Sequence, residues 1–304
     1  MFDYAPWLRE AMLPHIWCPG CGDGIVLKAM LRALDSLHLG QDRVALVSGI
    51  GCSSRLPGYV DANTLHTTHG RPLAFATGLK LAKPDLTVLV ITGDGDSLAI
   101  GGNHFIHAAR RNLDMTTILF NNRIYGMTGG QASPLSPQGT RATTAPHHSI
   151  DPPFDACRLA VGAGATYVAR GTVFHAQQLT RLIADAITHP GFALVEVLTT
   201  CPVYFGRLNR LTTTDLMTML KDGTLSAKMA ERLSPEQRAG KILTGVLHQE
   251  TRPEYGAEYR RLIAAVGGPP AAAGEGPVAQ GERPEEQEPS EAEAAVAEAE
   301  GNGA

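Results

Sequence analysis

The 304-residue sequence lacks any apolar run of about twenty residues, the length that a membrane-spanning helix requires. Its first fifteen residues lack the apolar core of a signal peptide, so we expect a cytoplasmic protein with no membrane association. Charged residues make up only 18% of the chain and hydrophobic residues 43%, which is typical of globular proteins. No internal repeat is visible.

The body of the chain also lacks a strong charge of either sign. From Gly267 onward the sequence has nine glutamates and one arginine, a charge of −8, so the rest of the chain carries +4 of the net −4. An excess of +4 is too small to indicate nucleic acid binding. The segment 267–304 is rich in Pro, Gly, Ala and Glu with almost no aliphatic side chains, and is predicted to be a disordered acidic tail.

Cysteines are few, and their number is odd, so a complete disulfide framework is not expected. In a cytosolic chain such cysteines indicate metal binding or reactivity instead. Cys157 has no partner motif and is predicted to pack in the core. The five cysteines are Cys18, Cys21, Cys52, Cys157 and Cys201.

The most informative stretch alternates apolar runs with polar clusters. Residues 87–92 and 115–120 are predicted to be buried strands, and residues 100–111 between them a helix. The first strand ends in Gly-Asp-Gly-Asp at 93–96, and the second in Asn-Asn-Arg-Ile-Tyr-Gly at 121–126. Both clusters therefore lie at the carboxyl ends of strands, the edge at which open parallel sheets bind ligands.

The polar clusters have a chemical interpretation. Asp94 offers a carboxylate and Asn122 an amide oxygen, ligands that suit Mg²⁺ when phosphate oxygens complete its shell. The glycines beside Asp94 let the backbone approach a phosphate, and backbone amides can bind it. The alternative is that Gly-Asp-Gly is only a turn. The asparagine pair at the next strand end favours the magnesium site.

Four of the cysteines are placed where they can converge. Cys18 and Cys21 form a CxxC turn, which fits a redox dithiol, a zinc site or an iron–sulfur site. Cys52 and Cys201 each follow a predicted strand, and Pro202 follows Cys201 as it does around iron–sulfur ligands. Four thiolates fit structural zinc or a 4Fe–4S cluster, and the cysteines by themselves favour zinc.

Periodicity and turn residues predict the other elements. His69 precedes a predicted helix, a position suited to anion binding. The predicted helices are 25–37, 70–83, 173–188 and a helical region 211–249; the further strands are 44–48 and 192–198, a short strand is predicted within 160–169, and the loops are 63–68 and 131–149.

The text GDGDSLAIGGNHFIHAARRN, followed by LFNNRIYGMTGGQASP, resembles the β subunit of 2-oxoacid:ferredoxin oxidoreductases, and most closely the 2-oxoglutarate type. These are thiamine diphosphate enzymes. The resemblance covers roughly residues 17–201 and implies an α/β thiamine-diphosphate-binding fold, an open, mostly parallel sheet with helices on both faces. The implied organisation is an N-terminal arm 1–16, a binding domain 17–205, a helical extension 206–266 and the tail 267–304.

The resemblance also implies roles for individual residues. Arg55 matches a basic residue that faces substrate or coenzyme A and is predicted to be catalytic, although a surface arginine is an equal alternative. The implied Mg²⁺ ligands are Asp94, Asn122 and the carbonyl of Ile124; the implied 4Fe–4S ligands are Cys18, Cys21, Cys52 and Cys201; the implied thiamine diphosphate contacts are Ile50, Gly51, Cys52, Ser53, His69, Gly95, Asp96, Gly126 and Met127.

The implied activity is the coenzyme A-dependent oxidative decarboxylation of 2-oxoglutarate to succinyl-CoA and CO₂, with electrons passing through the cluster to ferredoxin. A separate α subunit would supply the glutamate that thiamine enzymes need beside the pyrimidine ring. Alternatives are a pyruvate or broad-range oxidoreductase, a non-redox thiamine decarboxylase subunit with structural zinc, and a non-catalytic zinc scaffold.

One position departs from the family pattern. The family usually has lysine, associated with gripping the 2-oxoacid, where this chain has Gly129. Its absence indicates either a different range of 2-oxoacids or a charge that the partner subunit or Arg123 supplies instead.

Overall fold

Eight strands form one sheet in the computed structural model, which describes residues 2–267. The order across the sheet is β2-β1-β3-β4-β6-β5-β8-β7. All neighbouring strands are parallel except β5 and β8, which are antiparallel. The strands are β1 Val44–Ser48, β2 Asn63–His66, β3 Thr87–Gly93, β4 Met115–Asn121, β5 Tyr167–Thr172, β6 Phe192–Leu198, β7 Thr224–Ser226 and β8 Ile242–Gln249.

Helices connect the strands, as parallel neighbours require a crossover. Short 3₁₀ turns add to them, and Ser53–Tyr59 forms one directly after β1. The α-helices are α1 Asp23–Ser36, α2 Pro72–Ala82, α3 Asp94–Leu98, α4 Gly102–Arg110, α5 Ala156–Ala163, α6 Ala176–Thr188, α7 Thr213–Asp222, α8 Ala227–Ala230, α9 Pro235–Arg238 and α10 Tyr255–Val266.

The central strands are covered on both faces. Strands β1, β4 and β6 are buried at every position, which explains why they read as continuous apolar runs. In β3, Leu89 and Ile91 pack into a core with α1 and α6, whereas Val88 and Val90 pack into a second core with α2, α4 and α5. The predicted α/β class, with helices on both faces of a mostly parallel sheet, is confirmed.

The four longest strand predictions, for β1, β3, β4 and β6, agree with the structure to within one residue. The loop predicted at 63–68 is wrong, because Asn63–His66 is the edge strand β2. The helix predicted at 25–37 is α1, and that at 70–83 is α2.

Further along the chain the predictions are less accurate. Residues 211–249 are not all helical, since β7 and β8 lie within them and β8 extends the sheet by antiparallel pairing with β5. The bend and strand predicted within 160–169 correspond to the end of α5 and the start of β5.

Residues Met1–Leu262 form one compact unit, within which the predicted boundaries at 16 and 205 both fall. A second unit begins at Ile263, and the predicted tail, beyond Gly267, lies outside the described residues. Among residues 2–267 no helix has the length and apolar character that crossing a membrane requires.

Candidate cofactor site

A cleft of about 460 Å³ lies at the carboxyl ends of β1, β3 and β4. Because β3 pairs with both β1 and β4 in parallel, the polar loops that follow these strands meet at one edge. Every predicted thiamine diphosphate contact and every predicted Mg²⁺ ligand lines this cleft: Ile50, Gly51, Cys52, Ser53, His69, Asp94, Gly95, Asp96, Asn122, Ile124, Gly126 and Met127.

Asp94 is the buried carboxylate of the cleft. Its Oδ2 accepts a hydrogen bond of 2.5 Å from Ser133 Oγ, while its Oδ1 is buried without a hydrogen-bond partner among the described residues. Burial raises the pKa of Asp94 to about 7, although hydrogen bonds from Ser133 and the Asn122 backbone lower it. A buried carboxylate oxygen without a partner is costly, and a bound cation would remove that cost.

Asn122 and Ile124 complete a set of oxygen donors. Both line the cleft with Asp94, and Asn122 Oδ1 accepts a long hydrogen bond of 3.4 Å from the Ile124 amide. Arg123 between them has a φ of +65°, a left-handed conformation that is uncommon for a residue other than glycine. A carboxylate, an amide oxygen and a backbone carbonyl are hard ligands, so these residues fit Mg²⁺.

Asp96 lines the cleft, and its side chain is hydrogen-bonded to neighbouring loops. Its carboxylate is buried and accepts hydrogen bonds from the amides of Ile50 (3.0 Å) and Gly70 (2.7 Å) and from the hydroxyl of Ser54 (3.0 Å). His69 Nδ1 also lies 2.7 Å from it. The side chain is thus occupied by protein groups, and only its backbone remains for a diphosphate.

Gly95 marks a point of close approach. A Cβ added there would lie 2.6 Å from Tyr125 Cε1 and 3.2 Å from His69 Cε1. Burial, with the charges of Asp94 and Asp96, raises the pKa of the Tyr125 hydroxyl. Only glycine fits at position 95, because the Tyr125 ring already occupies the space that a side chain would need.

The four predicted cluster cysteines lie near one another, beside the cleft. Burial first, then the charge of Asp23, raises the pKa of Cys21, and Cys52 and Cys201 raise it further. Burial raises the pKa of Cys52 to about 12, with contributions from Cys201 and Cys18. Each sulfur therefore lies within electrostatic range of others in the set.

Gly126 lies against two of the sulfurs at the wall of the cleft. A Cβ added there would lie 3.5 Å from both Cys52 Sγ and Cys201 Sγ, and Gly126 and Cys52 both line the cleft. The indole of Trp17 donates a 2.8 Å hydrogen bond to the carbonyl of Cys52, which fixes this wall. The cysteine set and the cleft share these two residues.

The spacing of the sulfurs bears on the metal. Within residues 2–267, no three of these four sulfur atoms lie within 4.8 Å of one another. Tetrahedral zinc with Zn–S bonds near 2.3 Å would hold its sulfurs about 3.8 Å apart. Three of the four sulfurs are therefore not gathered at the spacing of a tetrahedral zinc site.

The two arginines considered as substrate contacts do not line the cleft. Arg55 is exposed on the 3₁₀ turn after Cys52 and does not line the cleft. Arg123 lines a neighbouring groove rather than the cleft, so the suggestion that it replaces the missing family lysine is not supported. At Gly129, φ is +117°, a conformation in which a lysine would be strained.

The fifth cysteine belongs to a separate network. Cys157 is buried as predicted, and its Sγ lies 3.3 Å from Glu196 Oε2. Arg170 donates hydrogen bonds to Glu196 (2.6 Å) and Asp155 (2.7 Å). Asp155, Cys157 and Glu196 are close enough to share a metal, but the Arg170 guanidinium already supplies their positive charge.

Motif reasoning missed two residues of the site. Ser133 contacts Asp94 from 39 positions away, and Tyr125 packs over Gly95. Ser133 lies in the sequence GGQASP, which follows the asparagine pair closely and belongs to the segment that resembles the family.

Comparison with known proteins assigns this geometry to a class. The family model for the C-terminal TPP-binding domain of thiamine pyrophosphate enzymes matches residues 49–197, the span from the loop after β1 to β6. This match, together with the fold and the cleft of the chain, defines it as a thiamine diphosphate-binding protein.

Sequence relatives narrow the class. The chain is 51% identical to 2-oxoglutarate synthase subunit KorB of Methanocaldococcus jannaschii over 258 residues, which cover 84% of this chain and 96% of that protein. It is 50% identical over 188 residues to 2-oxoglutarate oxidoreductase subunit KorB of Mycobacterium tuberculosis, covering 62% of this chain and 50% of that one.

A solved structure agrees. The 2-oxoglutarate:ferredoxin oxidoreductase of Magnetococcus marinus, with 2-oxoglutarate, coenzyme A and succinyl-CoA bound, matches with a TM-score of 0.79 and 33% identity, covering 90% of this chain and 93% of that chain. The chain belongs to the β-subunit family of 2-oxoacid:ferredoxin oxidoreductases.

Proposed function

We propose that this chain is the β subunit of a 2-oxoglutarate:ferredoxin oxidoreductase, which forms succinyl-CoA and CO₂ from 2-oxoglutarate and coenzyme A in the cytoplasm and reduces ferredoxin. The observation that carries this proposal is the convergence of all twelve predicted cofactor and magnesium residues on one cleft. When bound there, thiamine diphosphate supplies the electron-sink chemistry of decarboxylation, and a 4Fe–4S cluster supplies one-electron transfer.

The chain's own residues bind and orient the cofactor. Asp94 Oδ1, Asn122 Oδ1 and the Ile124 carbonyl would hold Mg²⁺, which in turn would hold the diphosphate. Gly95 and Gly126 both line the cleft and carry no side chain, so their backbone would be able to approach the phosphate oxygens. Asp96 would not contact the diphosphate through its carboxylate but would hold the loops that do.

Cys18, Cys21, Cys52 and Cys201 would hold the 4Fe–4S cluster. The family resemblance, in which these four positions match cluster ligands, supports a cluster over the zinc alternative. Burial raises the pKa values of Cys21, Cys52 and Cys201, so these three thiols would have to lose their protons when the metal binds, and cluster assembly would be coupled to proton release.

The choice of 2-oxoglutarate rests on the relatives, whose names specify that acid. Arg55 is exposed next to the Cys52 loop, so its proposed contact with substrate or coenzyme A would require the partner subunit to close over it. Apolar side chains at the mouth of the cleft support such a partner: Ile50, Ile100 and Met127 are 42%, 54% and 46% exposed. We assign this surface to the α subunit.

The test is to co-express the chain with the adjacent large-subunit gene and purify the complex without oxygen. Viologen reduction is then measured with 2-oxoglutarate, pyruvate and a branched 2-oxoacid, each with and without coenzyme A. We expect coenzyme A-dependent reduction with 2-oxoglutarate, and little turnover by the isolated chain. Preference for pyruvate would reject the substrate assignment, and turnover without a cluster signal in electron paramagnetic resonance would reject the redox assignment.

A further inference from the structure

Two serines in the loop between β4 and α5 contact both halves of the predicted magnesium motif. Ser133 and Ser136 are 9% and 4% exposed. Ser133 Oγ donates to Asp94 Oδ2 at 2.5 Å, and Ser136 Oγ donates to the carbonyl of Arg123 at 2.6 Å. One serine thus contacts the segment after β3, and the other contacts the segment after β4.

The two serines also fix each other. The Ser133 amide donates to Ser136 Oγ at 2.9 Å, and the Leu135 amide donates to Ser133 Oγ at 3.2 Å. Each hydroxyl has one proton, so with an amide donating to each oxygen, both protons are directed outward to Asp94 and Arg123. Residues 133–136 form a rigid bridge between the two segments, which we call the serine bridge.

The contacts of the serine bridge have distinct effects. At Asp94, Ser133 occupies Oδ2, so the carboxylate has a fixed rotation and Oδ1 is the oxygen left free of protein donors. At Arg123, Ser136 holds the carbonyl of a residue at φ +65°, directly between Asn122 and Ile124. Strained backbone persists only where surrounding contacts hold it, and this hydrogen bond is such a contact.

We propose that Ser133 and Ser136 are positioning residues for magnesium: the serine bridge sets the distance and orientation between Asp94 and the 122–124 segment before the ion binds. This inference rests on the proposed function, because it takes Mg²⁺ and thiamine diphosphate as the ligands of the cleft. Groups that orient metal ligands typically change metal affinity by about 10–100-fold when removed.

The test uses the co-expressed α/β complex after removal of its metal and cofactor. Thiamine diphosphate binding is measured by titration calorimetry at increasing Mg²⁺ concentrations for wild type, S133A, S133T and S149A. Ser149 is a matched control, since it is a buried serine of the same loop without a hydrogen bond to Asp94 or to residues 122–124. Thermal unfolding of each complex without ligands shows whether the loop stays folded.

We expect S133A to raise the half-saturating Mg²⁺ concentration by about 10–100-fold, with cofactor binding restored at high Mg²⁺. S149A should stay within about twofold of wild type, and S133T, which keeps a hydroxyl, should recover most of the loss. If S133A and wild type showed the same Mg²⁺ dependence, the inference would be overturned but the proposed function would not. So would an S133A loss that high Mg²⁺ does not restore, because that result would mean a collapsed loop.

A wild-type complex that binds thiamine diphosphate without any need for a divalent ion would reject the proposed function and this inference together. The wild-type titration therefore separates the two failures before any variant is compared.

Discussion

Asp96, in α3, links two loops of the cleft to this helix through one buried side chain. Its carboxylate accepts from Ile50, Ser54 and Gly70, which lie on the loops after β1 and before α2. Space for it comes from Gly49, where a Cβ would lie 2.3 Å from Asp96 Oδ1. Losing the charge of a buried acceptor with several amide donors leaves those donors unsatisfied.

We therefore expect D96N to weaken thiamine diphosphate binding of the α/β complex at least tenfold at saturating Mg²⁺. An amide group must turn its NH₂ toward at least one of the present donors, which shifts a loop of the cleft. D114N is the matched control, since Asp114 pairs with Lys80 at the amino edge of the sheet. Titration calorimetry measures both, and equal affinities for the two variants would contradict this role.

The cysteines give a second test at the scale of single residues. C201S should abolish the electron paramagnetic resonance signal of the reduced complex and release iron, because serine oxygen replaces a thiolate ligand poorly. C157S should keep the full signal, since Cys157 contacts Glu196 and is not part of the set. A zinc content of one per chain with no iron in the wild type would contradict the assignment.

Motifs made the cleft residues predictable, because short polar clusters after apolar runs identify strand ends on their own. The roles of Asp96 and Ser133 were not predictable in the same way. Their partners lie 26 or more positions away, at Gly70 and Asp94, and only the paired strands bring them together. Periodicity carries no signal about contacts at such separations.

At the scale of elements, the errors fall at the two sides of the sheet. Three of the four residues of β2 are exposed, so it lacks the apolar alternation that marks a strand. β8 has a positive-φ glycine, Gly245, and a register shift opposite Val168 and Ala169. The sequence of such an irregular antiparallel strand shows neither the apolar run of a buried strand nor the periodicity of a helix. The buried central strands do show apolar runs, and their positions were predicted from these runs.

His189, the buried residue after α6, contacts Thr166 just before β5. The titration of this histidine allows a test of stability against pH. His189 Nε2 lies 2.7 Å from Thr166 Oγ1, whose hydroxyl donates to Asn112 Oδ1 at 2.7 Å. Thr166 is therefore the acceptor and His189 the donor, as suits a neutral ring. Burial lowers the pKa of His189 below its ordinary value, although Asp114 raises it somewhat.

Since the unfolded chain takes up this proton first as the pH falls below about 6.5, the stability that neutral His189 contributes is present above that pH and lost below it. We expect the urea midpoint of wild type to fall more than that of H189Q between pH 7.5 and pH 5.5. If the urea midpoints of the two proteins changed equally with pH, His189 would have the same pKa in the folded and the unfolded chain, which would contradict this prediction.

At the scale of the whole molecule, the described residues place the site at an open edge with exposed apolar side chains around it. Such a surface indicates a second protein that covers it. Binding of cofactor and metal to the folded complex must then stabilise it, since neither has a site on the unfolded chain.

We expect thiamine diphosphate with Mg²⁺, at about 100 times the dissociation constant, to stabilise the complex by about 2.7 kcal/mol. The measurement is the first thermal unfolding transition of the complex. EDTA should reverse the shift, and D94N, which replaces the buried carboxylate, should show none. A shift that survives EDTA would mean that the cofactor is held without the metal.

The position of Gly126 also limits how the two thiols beside it can be crowded. A Cβ there would lie 3.5 Å from both Cys52 Sγ and Cys201 Sγ, which is already van der Waals contact. A longer side chain at 126 would therefore have to displace one of the sulfurs or the wall of the cleft.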